Sequence, residues 1–191
     1  MFFHKRGSFE HSRFSRIICA VRRFVFFAAV VFVMLPSLLW AGDRTPFPNV
    51  EFHPLNGQNS VMLEDFRGRP VLVAFWASWC GPCRAELPEL VELTHELKDS
   101  GLVLLAVNVD SSAAAGQKFL ERAGIELSAF RLSDQEQRMI GIRSLPTTIL
   151  LDGEGLAAQI YTGYSASVIE SIRLLVKGMS GADSDSIVES P

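Results

Sequence analysis

The chemistry-bearing residues of this chain stand together in Trp79-Cys80-Gly81-Pro82-Cys83. Two thiols at C-x-x-C spacing are close enough to close a disulfide on one another. The apolar run Val71-Leu72-Val73-Ala74-Phe75-Trp76 just before them reads as a buried strand, and Arg84 to Leu97 just after reads as a helix. Cys80 is therefore expected where a strand ends and a helix begins, facing unpaired backbone N–H groups and the positive end of the helix dipole. A thiolate is stabilised there, and the thiolate is the reactive form of cysteine. Pro82 suits the first helical turn, where its missing N–H is not needed. The pair reads as a dithiol suited to disulfide exchange.

Two other uses of the pair stay open at this point. A structural zinc site takes four ligands, usually with a second closely spaced Cys or His pair. The chain offers only Cys19 and the scattered His4, His11, His53 and His95. An inert crosslink fits the spacing, but a strand-to-helix junction is an unusual place for one. The cysteine arithmetic favours redox chemistry.

The surrounding pattern supplies the elements that must position the dithiol. Pro46, Pro48 and Pro54 give an extended entry, with Phe47, Val50, Phe52 and Leu55 packing it down. Asn56-Gly57-Gln58-Asn59 reads as a hairpin turn before a short strand at Ser60–Leu63. Leu63 to Gly68 reads as one helical turn closed by glycine. The strand at 71–76 is apolar throughout, as in a strand buried on both faces. In the helix after it, Leu87, Leu90, Val91, Leu93, Thr94 and Leu97 mark the buried face, with a kink expected at Pro88. Leu102–Val109 reads as a second apolar strand, Ala113–Ala123 as a helix closed by Gly124, and Leu127–Leu132 as a short strand. Asp134–Ile140 reads as helical, Thr147–Leu151 and Leu156–Tyr161 as a hairpin, and Val168–Lys177 as the last helix. Residues 178–191 are small, polar and acidic, and read as a disordered tail. Strands alternating with helices predict an α/β domain with a mixed sheet flanked by helices, its early strands parallel and its closing hairpin antiparallel.

Charge divides the 191 residues. Lys5, Arg6, Arg13, Arg16, Arg22 and Arg23 face a single acid, Glu10, in residues 1–42, a net of +5, and residues 43–191 carry −8. An acidic domain without a basic cluster argues against nucleic acid as a partner. Phe24 to Trp40 is uncharged and strongly apolar and follows Arg22-Arg23. A positive start followed by such a run is an export signal. At seventeen residues it is long for the apolar core of a signal peptide and near the lower limit for a membrane span. Residues 1–42 thus read as a cleaved signal or a retained anchor, with residues 24–40 then holding the chain to the membrane. In both cases residues 43–177 form the exported domain. Cys19 falls on the cytoplasmic side, as an incidental thiol.

Three stretches, taken in order, resemble a known pattern. They are Gly68 to Pro88 around the C-x-x-C, Gly141-Ile142-Arg143-Ser144-Leu145-Pro146-Thr147-Thr148, and Leu151-Asp152-Gly153-Glu154-Gly155. Residues 46–177 resemble a thioredoxin-fold domain, and within that fold the exported TlpA-like thiol-disulfide oxidoreductases. The resemblance implies Cys80 as nucleophile, Cys83 as resolving thiol and Pro146 as a cis-proline facing them. Trp79, Gly81, Pro82, Leu145 and Thr147 would meet the substrate, with Leu145 offering its backbone. In the group an acid at the position of Glu86 helps set the thiol pKa values; a solvated helix carboxylate is the alternative reading. Ala74 departs from thioredoxin, which has a buried Asp there, so another group or water must move the proton, and Glu86 is the candidate. Asp110–Leu132 reads as an extra helix and strand of the TlpA-like type, shaping partner choice or only packing.

Two other functions of the same fold weigh less. Thiol peroxidases need Pro-x-x-x-Thr/Ser-x-x-Cys, and those positions hold Val73 and Ala77. Copper-delivery modules add a histidine late in the domain, and none follows His95. The Gly-Pro dipeptide resembles the reducing thioredoxins, and no metal or organic cofactor is required. The implied partners are exported protein disulfides, including the C-x-x-C-H segment of apocytochromes c, and a membrane thiol-electron carrier as donor. The runner-up is an oxidase or isomerase of exported proteins.

Overall fold

The computed structural model describes residues 45–57 and 59–182. The elements run β1 (Glu51–Pro54), β2 (Val61–Met62), a 3-10 turn (Leu63–Phe66), β3 (Val71–Trp76), α1 (Gly81–Glu96) and a 3-10 turn (Lys98–Ser100). Then follow β4 (Val103–Asn108), α2 (Ala113–Ala123), β5 (Ala129–Arg131), α3 (Asp134–Ile140), β6 (Thr147–Leu151), β7 (Ala157–Thr162) and α4 (Ala166–Ala182). The leader, with Cys19 and residues 24–40, and the tail beyond Ala182 lie outside the described residues. Among the described residues no helix is long and apolar enough to cross a membrane.

Seven strands form one sheet in the order β2-β1-β5-β4-β3-β6-β7. β3 is central and buried at every position. It pairs in parallel with β4, Trp76 beside Asn108, and antiparallel with β6, Phe75 beside Thr147. Its side chains alternate between faces. Val71, Val73 and Phe75 join the core built with Phe52, Leu105, Val107 and Ile149, whereas Leu72 and Ala74 join Leu90, Leu93, Ile172 and Val176 under α1 and α4. The apolar continuity of residues 71–76 is the signature of this two-sided burial.

The expected sheet needs one correction. The early strands are not all parallel: β1 runs antiparallel to both β2 and β5. For β1 and β2 the short connection through Gly57, at φ +75°, forces this, because a parallel pair needs a long crossover. Both ends of the sheet are thus antiparallel around a parallel β5-β4-β3 centre.

The helices end where side chains dictate. Gly124 closes α2 in the left-handed region at φ +63°, its N–H donating to the carbonyls of Leu120 and Glu121. Ser133 caps α3 in a reciprocal box with Glu136. α1 passes through Pro88 without a break, the ring lying on the exposed side. α4 runs on to Ala182, five residues beyond the expected end at Lys177. Gly178 is a poor helix former, but Val176 and Met179 lie one turn apart and both pack on the core under α4. Residues 178–182 therefore belong to the helix and not to the tail.

Candidate active site

The sheet register builds the site. One step beyond the pair Phe75/Thr147, Pro146 comes level with Trp76 and Leu145 with Ala77. The proline loop therefore lies beside the chain entering the C-x-x-C. The Leu145–Pro146 peptide bond is cis. Thr147 Oγ1 donates to the Ser144 carbonyl at 2.8 Å, and the Pro146 carbonyl accepts from Gly163 N–H. Thr147 is largely buried, and its hydroxyl donates to its own loop. Leu145, by contrast, has no hydrogen bond on its N–H or C=O among the described residues.

Cys80 is the N-cap of α1, and Cys83 lies in the first turn with Gly81 and Pro82 between them, both exposed. The two sulfurs form a disulfide, with Cα atoms 5.3 Å apart. Cys83 N–H donates to Cys80 Sγ at 3.2 Å. That donor and the helix N-terminus would serve a thiolate on Cys80. Cys80 is 5% exposed and Cys83 is 0% exposed, so only the first sulfur can be approached from outside. Trp79, 69% exposed, stands beside it. Its ring walls a groove of about 370 Å³ floored by Phe75, Val109, Ile142 and Leu145.

Glu86 is not a solvated helix carboxylate. It is 1% exposed, on the inner side of α1, and accepts a hydrogen bond from Thr148 Oγ1 at 3.1 Å. Ala74 and Thr148 are paired across β3 and β6, so their side chains share a face. The Glu86 carboxyl reaches that face, where Ala74 brings no acid. Burial pushes its pKa up from 4.5 to about 7, with the Thr148 bond opposing the rise in part.

One supporting group had no role in the sequence reading. Asp110 is buried and holds the approach to the dithiol. Its carboxylate accepts from Ser78 N–H at 3.0 Å, from Ser78 Oγ at 3.1 Å and from Asn108 Nδ2 at 2.8 Å. Gly116 of α2 lets that helix close over Asn108, whose side-chain atoms lie 2.7 Å from where a Cβ would stand. The signal was present in the register: if Trp76 pairs with Asn108, the residues two further on, Ser78 and Asp110, are neighbours. Asp110→Ala leaves three donors without their acceptor. The expected loss is about 3 kcal/mol of stability for the oxidised protein, measured by urea unfolding. A loss below about 0.5 kcal/mol would show that the carboxylate does not hold the loop.

A family model described as the AhpC/TSA family matches residues 44–174. The thiol-disulfide oxidoreductase ResA of Halalkalibacterium halodurans is 32% identical over 145 residues, 74% of this chain and 80% of that one. A crystal structure described as thiol:disulfide interchange protein DsbE from Chlorobium tepidum superposes with a TM-score of 0.66 at 27% identity, over 72% of this chain and 96% of that one. A secreted thiol-disulfide isomerase from Corynebacterium glutamicum gives a TM-score of 0.61 at 25% identity, over 71% and 87%.

Proposed function

Because this chain belongs to the AhpC/TSA family and is, within it, a thioredoxin-fold thiol-disulfide oxidoreductase, we propose that it reduces disulfides of exported proteins through Cys80 and Cys83. The observation that carries the reading is a sulfur at a helix N-terminus, beside an open apolar groove and a proline loop with a free backbone edge. A client strand lies along Leu145 with an apolar side chain against Trp79. The Cys80 thiolate attacks one client sulfur, forming a mixed disulfide and releasing the other client sulfur as a thiolate, which takes up a proton. Cys83, deprotonated, then attacks Cys80 Sγ. The Cys80–Cys83 disulfide forms, and the second client sulfur leaves and is protonated. Two electrons pass from enzyme to client. Glu86, on the inner side of the same helix with a pKa near 7, exchanges the proton of the buried thiol.

The oxidised enzyme needs recharging, and a membrane thiol-electron carrier is the donor this reading requires. The Phe24–Trp40 run directs residues 43–191 to the periplasm or an equivalent exported compartment, either freed by cleavage or tethered. Apocytochrome c, with its C-x-x-C-H segment, is one client class for such a reductase. A peroxidase is disfavoured by Val73 and Ala77, both apolar and buried where that chemistry needs Pro and Thr or Ser.

The test is the reduction potential of Cys80–Cys83 in the full chain, by equilibration in dithiothreitol or glutathione buffers. A value at or below roughly −250 mV is expected, near that of thioredoxin. A value above roughly −180 mV would place the chain with the oxidising foldases and replace this reading with the oxidase or isomerase one.

A further inference from the structure

A second groove, of about 500 Å³, is lined by residues on both sides of the C-x-x-C and by none of the proline loop. It runs between the first turn of α1 and the inserted helix α2, and Ser78, Arg84, Lys118, Phe119 and Arg122 line it. Three of these are cations, and none of their side chains has an ion pair or hydrogen bond with a described residue. The α2 residues Ala115, Lys118, Phe119, Arg122 and Ala123 recur at helical spacing, so they form one face. The one acid of α2, Glu121, is turned away, bonded by Gln117 Nε2 and lining a different cleft with Gly124 and Ile125. The positive groove is conspicuous because residues 43–191 carry a net −8. Its place is equally specific: Ser78 is two residues before Cys80 and Arg84 is the residue after Cys83.

We infer that this groove docks an acidic segment next to the disulfide of a client protein, with Arg84, Lys118 and Arg122 facing its carboxylates and Phe119 its apolar residues. The inference rests on the exchange function above and assigns the inserted helix a part in choosing clients. Elsewhere the acidic domain repels an acidic client; here the local field attracts it to the sulfur it must meet. A membrane surface is the less fitting occupant, because lipid seated on cations that flank Cys80 would cover the dithiol.

The test uses the reduced full chain in a non-ionic detergent and two synthetic peptides closed by one disulfide. One carries four Asp beside its cysteines and the other four Asn. The rate constant for reduction is expected to be roughly tenfold larger for the Asp peptide at low salt, with the ratio collapsing at high salt. Lys118→Glu with Arg122→Glu should bring the ratio to one or below, and the milder Lys118→Gln with Arg122→Gln should lower it in the same direction. Lys98→Glu makes a charge change just past the far end of α1, about 21 Å along the helix direction from Arg84, and should leave the ratio intact. Equal rates for both peptides, or an equal loss in Lys98→Glu, would overturn the docking proposal alone, since the exchange function would still be seen. A chain that reduces neither peptide overturns both. Binding to phosphatidylglycerol vesicles that the double variants lose, without any peptide preference, would give the groove to the membrane and overturn the proposal.

Discussion

Cys83→Ser is expected to turn a catalyst into a trap. The variant keeps the sulfur that a client can reach and loses the one that releases it. Multiple-turnover reduction of a peptide disulfide should fall by at least about a thousandfold, as when a nucleophile is removed from a unit that acts together. A mixed disulfide between Cys80 and the client should accumulate in its place, visible on non-reducing gels and by mass spectrometry. The asymmetry comes from placement within one helical turn. Cys80 caps the helix, receives the Cys83 N–H and has some exposure, whereas Cys83 has none and packs among Trp76, Leu87 and Ala106. Cys80→Ser should therefore lose turnover and adduct together. A hydroxyl in place of the buried Cys83 thiol costs on the order of 1–2 kcal/mol; Cys83→Ala avoids that burden and should give the same adduct. Capture by Cys80→Ser and not by Cys83→Ser would reverse the two roles.

Why some of this site could be read from sequence and some could not follows from the range of the forces involved. The dithiol, the strand before it and the helix after it are local. Their signals are an unbroken apolar run, a C-x-x-C and a proline fit for a first turn. The bounds of α2, Ala113 to Ala123, were legible because Gly124 supplies the left-handed closure that other residues avoid. Pro146 was legible only through resemblance, since most X–Pro bonds are trans. Three features depend on contacts between distant segments. The hold of Asp110 on Ser78 spans 32 residues and exists only once β3 and β4 are in register. The hydrogen bond that buried Glu86 accepts comes from Thr148, 62 residues later. The groove beside α2 needs that helix set against α1, although its three cations were in plain view as ordinary surface charges. The overrun of α4 has the same cause: glycine at 178 argued for an end, and tertiary packing of Met179 won.

Glu86→Gln is expected to change how stability and rate depend on pH more than it changes either at acid pH. The Glu86 carboxyl has a folded pKa near 7, raised from 4.5 by burial. Below pH 4.5 it is protonated in both folded and unfolded chains and contributes no pH dependence. Between 4.5 and 7 the unfolded chain ionises there while the folded one keeps its proton, so the folded state binds more protons and stability falls as pH rises. The fall amounts to about 3 kcal/mol across that window and levels off above it. Glutamine cannot ionise and can still face Thr148 Oγ1. Urea unfolding of the oxidised proteins should thus show a stability gap in favour of Gln that is about 3 kcal/mol larger at pH 8 than at pH 4.5. A gap of the same size at both pH values would mean that Glu86 ionises freely in the folded chain. The kinetic counterpart separates a proton-exchanging group from a merely buried one. For wild type, the rate of resolving a preformed mixed disulfide should carry an inflection near pH 7 that Glu86→Gln lacks, with the variant slower by roughly a hundredfold at neutral pH. Profiles of the same shape for both proteins, with the stability gap present, would leave Glu86 a buried carboxyl with no part in moving the thiol proton. The value near 7 places that proton where a carboxyl can both give and take it at neutral pH, the property a thiol relay requires where Ala74 provides no acid.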